Sequence, residues 1–148
     1  MIGVDISTAM MEGLENETSG RCKYLVGDIR SLQFQQGYFS KVFSRMVFHG
    51  LMDGIDQAAH ECFRVLQSGG KFILSEGIPP EMYAEDWYTE MFRHKENRLT
   101  LFPDTLEALL DRSGFSNIET EIHVSEQVSI RNWLENSGLP LASQETIM

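Results

Sequence analysis

Basic charge is scarce in this chain: Lys and Arg together number 12 against 22 Asp and Glu, a net charge of −10 over 148 residues. A phosphate backbone is bound by a basic stripe, so nucleic acid is excluded as a partner class. Long apolar runs are missing as well. None approaches the roughly 18 residues that suggest a membrane span, and no basic region precedes an apolar one at the N-terminus. The expectation is a cytoplasmic protein with no membrane partner. Cysteine is limited to Cys22 and Cys62, far apart and in apolar surroundings. Both read as reduced core thiols, not as a disulfide or a metal pair. The four histidines, His49, His60, His94 and His123, include no pair at metal-ligand spacing. There is no internal repeat and no low-complexity tract.

The chain does contain a core-sized share of apolar residues, 42% of the total, in a length that suits one domain. Its organising stretch is Met1-Ile-Gly-Val-Asp5-Ile-Ser7, an apolar run closed by a carboxylate. That pattern reads as a buried parallel strand carrying Asp5 to a strand end, where open α/β sheets bind ligands. Ser7 caps a helix with Met10, Met11 and Leu14 on one side and Glu12, Glu15 and Glu17 on the other. Asn16 to Gly20 is turn chemistry. Cys22 to Val26 forms a second strand, stopped by Gly27-Asp28, so a second carboxylate arrives at a strand end.

A third strand, Lys41 to Ser44, runs into Arg45 and Met46 to Leu51. Asp53 to Leu66 is the clearest helix, with Ile55, Ala58, Ala59, Cys62, Val65 and Leu66 at spacings of three and four, and Gln67 to Gly70 as its glycine stop. Lys71 to Glu76 is a fourth strand, apolar in the centre as a strand covered on both faces should be. Gly77-Ile-Pro-Pro80 breaks it. Residues 81–98 turn aromatic and charged, with Tyr83, Trp87, Tyr88, Met91 and Phe92 among acids and bases, which suits an insertion or lid over a site. A helix follows from Pro103-Asp104 through Ser113 to Gly114, with Leu106, Leu109 and Leu110 inward. The alternation of Ile118, Thr120, Ile122 and Val124 predicts a strand over Phe115 to Ser125. Ser129 to Asn136 is a short helix around Trp133, and the tail to Met148 carries no signal.

Strand and helix units in succession, with short turns, predict an α/β fold: a Rossmann-like, mostly parallel sheet with flanking helices. The succession Ile2-Gly-Val-Asp-Ile-Ser7 with Met10-Met11, then Val26-Gly-Asp28, Tyr38-Phe39 before Val42-Phe-Ser-Arg45, Phe48-His49, and Arg64-Val-Leu-Gln-Ser-Gly-Gly-Lys-Phe-Ile-Leu-Ser-Glu76 resembles the class I S-adenosylmethionine-dependent methyltransferases. It is closest to their type 11 methyltransferase domain, over residues 1 to about 76. The resemblance implies one domain with a cofactor-binding core at 1–80, a lid or insertion at 81–103, and a C-terminal helix, strand and helix at 104–148. It implies S-adenosyl-L-methionine as cofactor and a small-molecule acceptor.

By that resemblance Asp5 accepts from both ribose hydroxyls, Ile6 and Met10 wall the adenine, and Gly27, Asp28 and the Ile29 N–H hold the adenine edge. Ser44 and Arg45 line the methionine end, and Phe48-His49 form the mouth of the acceptor pocket. His49 is the candidate catalytic base where the acceptor starts protonated, and Glu76 is a second candidate at a strand end. The chain departs from the family's pattern in three places. The first strand with its Gly-x-Gly turn does not precede Met1, Ser40 stands where aspartate is usual, and no final antiparallel strand follows Pro140. In the family's order the absent strand lies between those of Met1 to Asp5 and Lys41 to Ser44, leaving two unpaired ladders. A fragment, a shortened gene product and a strand-exchanged homodimer all fit.

Each of these residues also has a structural reading. Asp5 and Asp28 suit turn caps as well as ligand contacts, a histidine such as His49 is commonly packed or solvated, and the Tyr83 to Phe92 aromatics suit a packed cover. A truncated or degenerate relative acting as an interaction module is therefore the alternative function. A nicotinamide-dependent dehydrogenase also places an acid after its second strand, but Val26-Gly-Asp28 and Phe39 to Arg45 fit the methyltransferase pattern better.

Overall fold

The computed structural model describes residues 1–11, 21–79, 84–124, 130–135 and 140–147. Strands β1 (Ile2–Asp5) and β2 (Lys23–Val26) pair in parallel, Ile2 opposite Lys23 and Asp5 opposite Val26. Strands β3 (Phe39–Arg45) and β4 (Leu66–Ser75) form a second parallel pair, with Lys41 opposite Lys71 and Arg45 opposite Ser75. No ladder joins the two pairs among the described residues.

Helix α1 is described over Thr8–Met11, so the expected Leu14 stripe and the turn at 16–20 lie outside the described residues. Helix α2 (Ile55–Val65) carries the core. Its buried Ala58, Ala59, Cys62 and Val65 present small side chains along one side, so the helix packs closely on the sheet. Phe48, Leu101 and Leu109 complete the cluster, with Val42, Phe72 and Leu74 from the β3–β4 pair packed against it. Burial pushes the Cys62 thiol up to about 12, so this sulfur stays protonated and serves as a small apolar group. Cys22 and Cys62 are both free.

Arg64 fastens the loop after β2 to this helix. Its Nη1 donates to the Phe34 carbonyl at 2.7 Å, its Nη2 to the Leu32 carbonyl at 2.9 Å, and its Nε to Glu61 at 2.6 Å. Glu61 also accepts from the Leu32 N–H, and its carboxyl is held below the usual range by Arg64 first. The β1–β2 pair thus reaches the core partly through residues 28–34.

Four expectations are corrected. Helix α2 stops at Val65, where Leu66 is already extended and paired with Phe39, so β4 begins five residues before Lys71. The glycines lie in an irregularity of the β3–β4 register, Gly69 in the left-handed region, and not in a helix stop. β3 likewise starts at Phe39, two residues early. Among residues 115–124 no strand forms. Alternation records that one face could be dry, but Ile122 and Val124 are exposed, and an apolar face with nothing to pack on does not repay the ordering of its backbone.

Helices α3 (Glu85–Arg93) and α4 (Pro103–Arg112) follow β4. Pro103 sits in the first turn of α4 and Thr105 Oγ1 accepts from the Phe102 N–H, as a helix start requires. The helix expected at Ser129 to Asn136 is described as α5 (Ile130–Glu135), and the tail forms α6 (Leu141–Ile147), which had no sequence signal.

Candidate active site

The C-terminal ends of β1 and β2 meet at one rim. The Gly27 N–H donates to the Asp5 carbonyl at 2.9 Å, so Asp28 follows directly beside the end of β1. Asp5 Oδ1 accepts from the Ser7 N–H at 2.8 Å, while its Oδ2 has no hydrogen bond among the described residues. Beside it Ile6 and Met10 are 69% and 64% exposed, unusual for apolar side chains flanking a half-buried carboxylate. A flat apolar group with hydroxyls at one edge fits there. The residues at this rim therefore suit the ribose and adenine of a nucleoside cofactor.

Asp28 is placed as expected and is already engaged. Its Oδ1 accepts from the Arg30 N–H at 2.8 Å and from Nε at 3.0 Å, and its Oδ2 from Nη2 at 2.7 Å. The Arg30 side-chain bonds hold the Asp28 carboxyl below the usual range. Arg30 also reaches Asp53, passing over Gly54, whose left-handed backbone and missing Cβ leave room for the arginine stem. Ile29 packs against the core cluster. Both carboxylates thus close local turns, and of the two only Asp5 keeps an oxygen without a partner among the described residues.

A second rim lies at the ends of β3 and β4. Ser44 and Arg45, expected just past the strand, lie inside β3 and on opposite faces. Ser44 is buried, its Oγ without a partner among the described residues, on the face that Val42 and Leu74 turn to the core; Arg45 is exposed beside Phe43. Arg45 borders a trough of about 1900 Å³ between β4 and residues 116–123, which includes neither Asp5 nor His49. The rim itself turns at Met46, a non-glycine residue at φ 55°, and such strain is characteristic of functional sites.

Glu76 organises this turn. Its side chain is 1% exposed. Its Oε1 accepts from the Val47 N–H at 2.8 Å and the Phe48 N–H at 2.7 Å, and its Oε2 lies 2.8 Å from His49 Nδ1. With a carboxylate accepting at Nδ1, the neutral ring carries its proton there and presents the Nε2 lone pair. The His49 carbonyl accepts from the Leu99 N–H at 2.7 Å, tying the same turn to the segment after α3. The Tyr88 hydroxyl, from α3, and the Met46 side chain both come close to Gly77, just past β4.

Arg30, Glu96 and Arg98 are the site residues that sequence reasoning did not single out. Arg30 had a signal, since it follows Asp28 by two residues and can reach back to it. Glu96 and Arg98 belong to the aromatic and charged segment expected to lie over a site, where no pattern marked them individually.

A parallel sheet with two carboxylate-bearing strand ends, flanked by helices, defines a Rossmann-like fold of the class I methyltransferase type. The Methyltransf_11 family, described as a methyltransferase domain, matches residues 1–74, and the chain belongs to that family. Solved structures similar to it include the YcgJ protein of Bacillus subtilis, at 20% identity and TM-score 0.77 over 99% of this chain and 64% of that one. A putative methyltransferase of Bacillus halodurans has 20% identity and TM-score 0.81, over 99% and 65%. A phosphoethanolamine N-methyltransferase of Haemonchus contortus, in complex with S-adenosyl-L-methionine, has 20% identity and TM-score 0.65, over 99% and 37%. The chain spans about 65% of the length of the Bacillus proteins. No curated protein sequence matches it.

Proposed function

We propose that this domain binds S-adenosyl-L-methionine at the β1–β2 rim and transfers its methyl group to a small molecule held beneath α3. The observation carrying this reading is the pair of adjacent strand ends, one bearing Asp5, whose Oδ2 has no partner among the described residues, followed by exposed Ile6 and Met10, with Asp28 next to it. When bound, the cofactor supplies a methyl group on a sulfonium, open to displacement by a nucleophile. Asp5 holds the ribose hydroxyls, Ile6 and Met10 pack on the adenine, and Gly27, Asp28 and Ile29 meet its edge. Asp28 can do so only as Arg30 yields part of its grip. Arg45, exposed at the end of β3, meets the methionine end, and Ser44 lies behind it on the strand's core face. His49 Nε2 takes the proton that a protonated acceptor must lose, with Glu76 fixing the ring. Much of the rate would come from alignment, as a direct displacement demands.

The division into a core at 1–80, a cover at 81–103 and a C-terminal part at 104–148 belongs to the same reading. So do a cytoplasmic setting and a homodimer that closes the gap between β1 and β3 by strand exchange. The commitment of both Asp28 oxygens to Arg30 favours the second reading, an interaction module that keeps the fold without catalysis.

Calorimetric titration with S-adenosylhomocysteine separates the two. Hydrogen bonds to a charged acceptor contribute roughly 1.5–3 kcal/mol each, so Asp5→Ala should weaken binding about 100-fold or more. Asp5→Asn, which keeps an oxygen for the Ser7 N–H, should fold normally and weaken binding about tenfold or more. Absence of heat at millimolar ligand, or equal affinity of the Asp5 variants, sinks the cofactor site.

A further inference from the structure

Arg98 is a buried cation near this rim that leaves one hydrogen-bonding edge unused among the described residues. Its side chain is 4% exposed, and among the described residues neither Nε nor Nη2 has a hydrogen-bond partner. Its guanidinium plane is held by other means: Cζ lies 4.1 Å from the centroid of the Phe92 ring and 5.7 Å from that of Tyr88, and Nη1 lies 3.4 Å from Glu96 Oε1. Burying a charged donor without a partner is costly, and folded proteins seldom do it without a reason.

The same chain shows what that edge is suited to. In Arg30 the Nε and Nη2 pair grips the two oxygens of Asp28, at 3.0 and 2.7 Å, and in Arg64 it grips those of Glu61, at 2.6 and 2.8 Å. Two parallel N–H donors match the paired oxygens of a carboxylate or a phosphate, and both filled forks in this chain hold a carboxylate. Arg98 presents this fork with the carboxylate left out. Its location adds a direction: Glu96 Oε1, which touches Arg98, is 4.0 Å from His49 Nε2, and Leu99, the next residue, is bonded to the His49 carbonyl.

We infer that Arg98 binds the carboxylate of the methyl acceptor, so that the substrate class is a small carboxylic acid whose reacting atom lies toward His49. This rests on the methyl-transfer reading above. The acceptor is thereby held close to the Tyr88 and Phe92 rings that lie beside the guanidinium. In a protein of net charge −10 the buried arginine also offsets the general repulsion that an anionic substrate would meet.

The test uses 4-fluorobenzoate and its uncharged isostere 4-fluorobenzamide, followed by fluorine NMR on the 148-residue chain, with S-adenosylhomocysteine titrated into the same samples. The expected result is at least a tenfold preference for the benzoate in the wild type. Arg98→Met should abolish the preference and Arg98→Lys reduce it, both with cofactor binding unchanged. Equal binding of acid and amide, or a preference that survives Arg98→Met, overturns the inference. So does inorganic phosphate displacing the benzoate more effectively than acetate does, since the anion class would then be wrong. Where Arg98→Met does not fold, the wild-type comparison of acid, amide and phosphate decides alone. Cofactor binding without a carboxylate preference removes this inference only; a preference without cofactor binding keeps the carboxylate site and removes the methyl-transfer reading.

Discussion

Glu76→Ala is expected to lower the unfolding free energy by about 3–5 kcal/mol in urea titrations followed by circular dichroism. The carboxylate satisfies two backbone N–H groups and one imidazole nitrogen from a side chain that is 1% exposed. Alanine leaves the Val47 and Phe48 N–H groups without acceptors in a site water reaches poorly, at about 1–3 kcal/mol each, and loses the imidazole contact besides. Glu76→Gln keeps an oxygen for the two N–H groups and should cost only about 1–2 kcal/mol. Its amide N–H would face His49 Nδ1, however, and drive the ring proton to Nε2. Nitrogen-15 shifts of the His49 ring should therefore reverse between wild type and Glu76→Gln, although the fold is retained. A loss under about 1 kcal/mol for Glu76→Ala, or an unchanged tautomer in Glu76→Gln, would remove Glu76 from its assigned role.

Phe48→Ala should cost about 3–5 kcal/mol, the range for a large side chain deleted from a closed core. Phe48 is fully buried among Ala58, Ala59, Cys62, Leu101 and Leu109, and its ring lies 6.2 Å from that of Phe72. The neighbouring helix offers alanines there, which cannot extend to fill the space. Phe48→Leu should lose much less, about 1–1.5 kcal/mol. Because Phe48 immediately precedes His49, the alanine variant should also loosen the turn at Val47 to His49, and hydrogen exchange at Leu99, whose N–H is bonded to the His49 carbonyl, should quicken with it. A cost below about 1 kcal/mol would mean that the core centres elsewhere.

Much of this arrangement was legible from the residues. An apolar run closed by Asp5, and another closed by Gly27-Asp28, specify strand ends because period and punctuation are local properties. The buried positions of α2 follow from spacing alone, and all of Ala58, Ala59, Cys62 and Val65 are buried. What was not legible depends on partners distant in the chain. The Glu76 contacts span 27 to 29 residues, so a glutamate at a strand end gave no sign that it caps the Val47 to His49 turn. The start of β4 at Leu66 is set by Phe39, and a strand at 115–124 fails for want of a neighbour that alternation cannot report. Nothing in the sequence marked Arg98 as buried, because burial of a guanidinium is decided by the rings placed beside it.

The division of labour between the two rims is most directly tested by amide chemical-shift mapping of the nitrogen-15-labelled chain as S-adenosylhomocysteine is added. The expected result is saturable movement confined to residues 5–10 and 26–30, with smaller changes at 44–49 and none at 116–123. No movement at millimolar ligand, or movement centred on the trough beside residues 116–123, would contradict it.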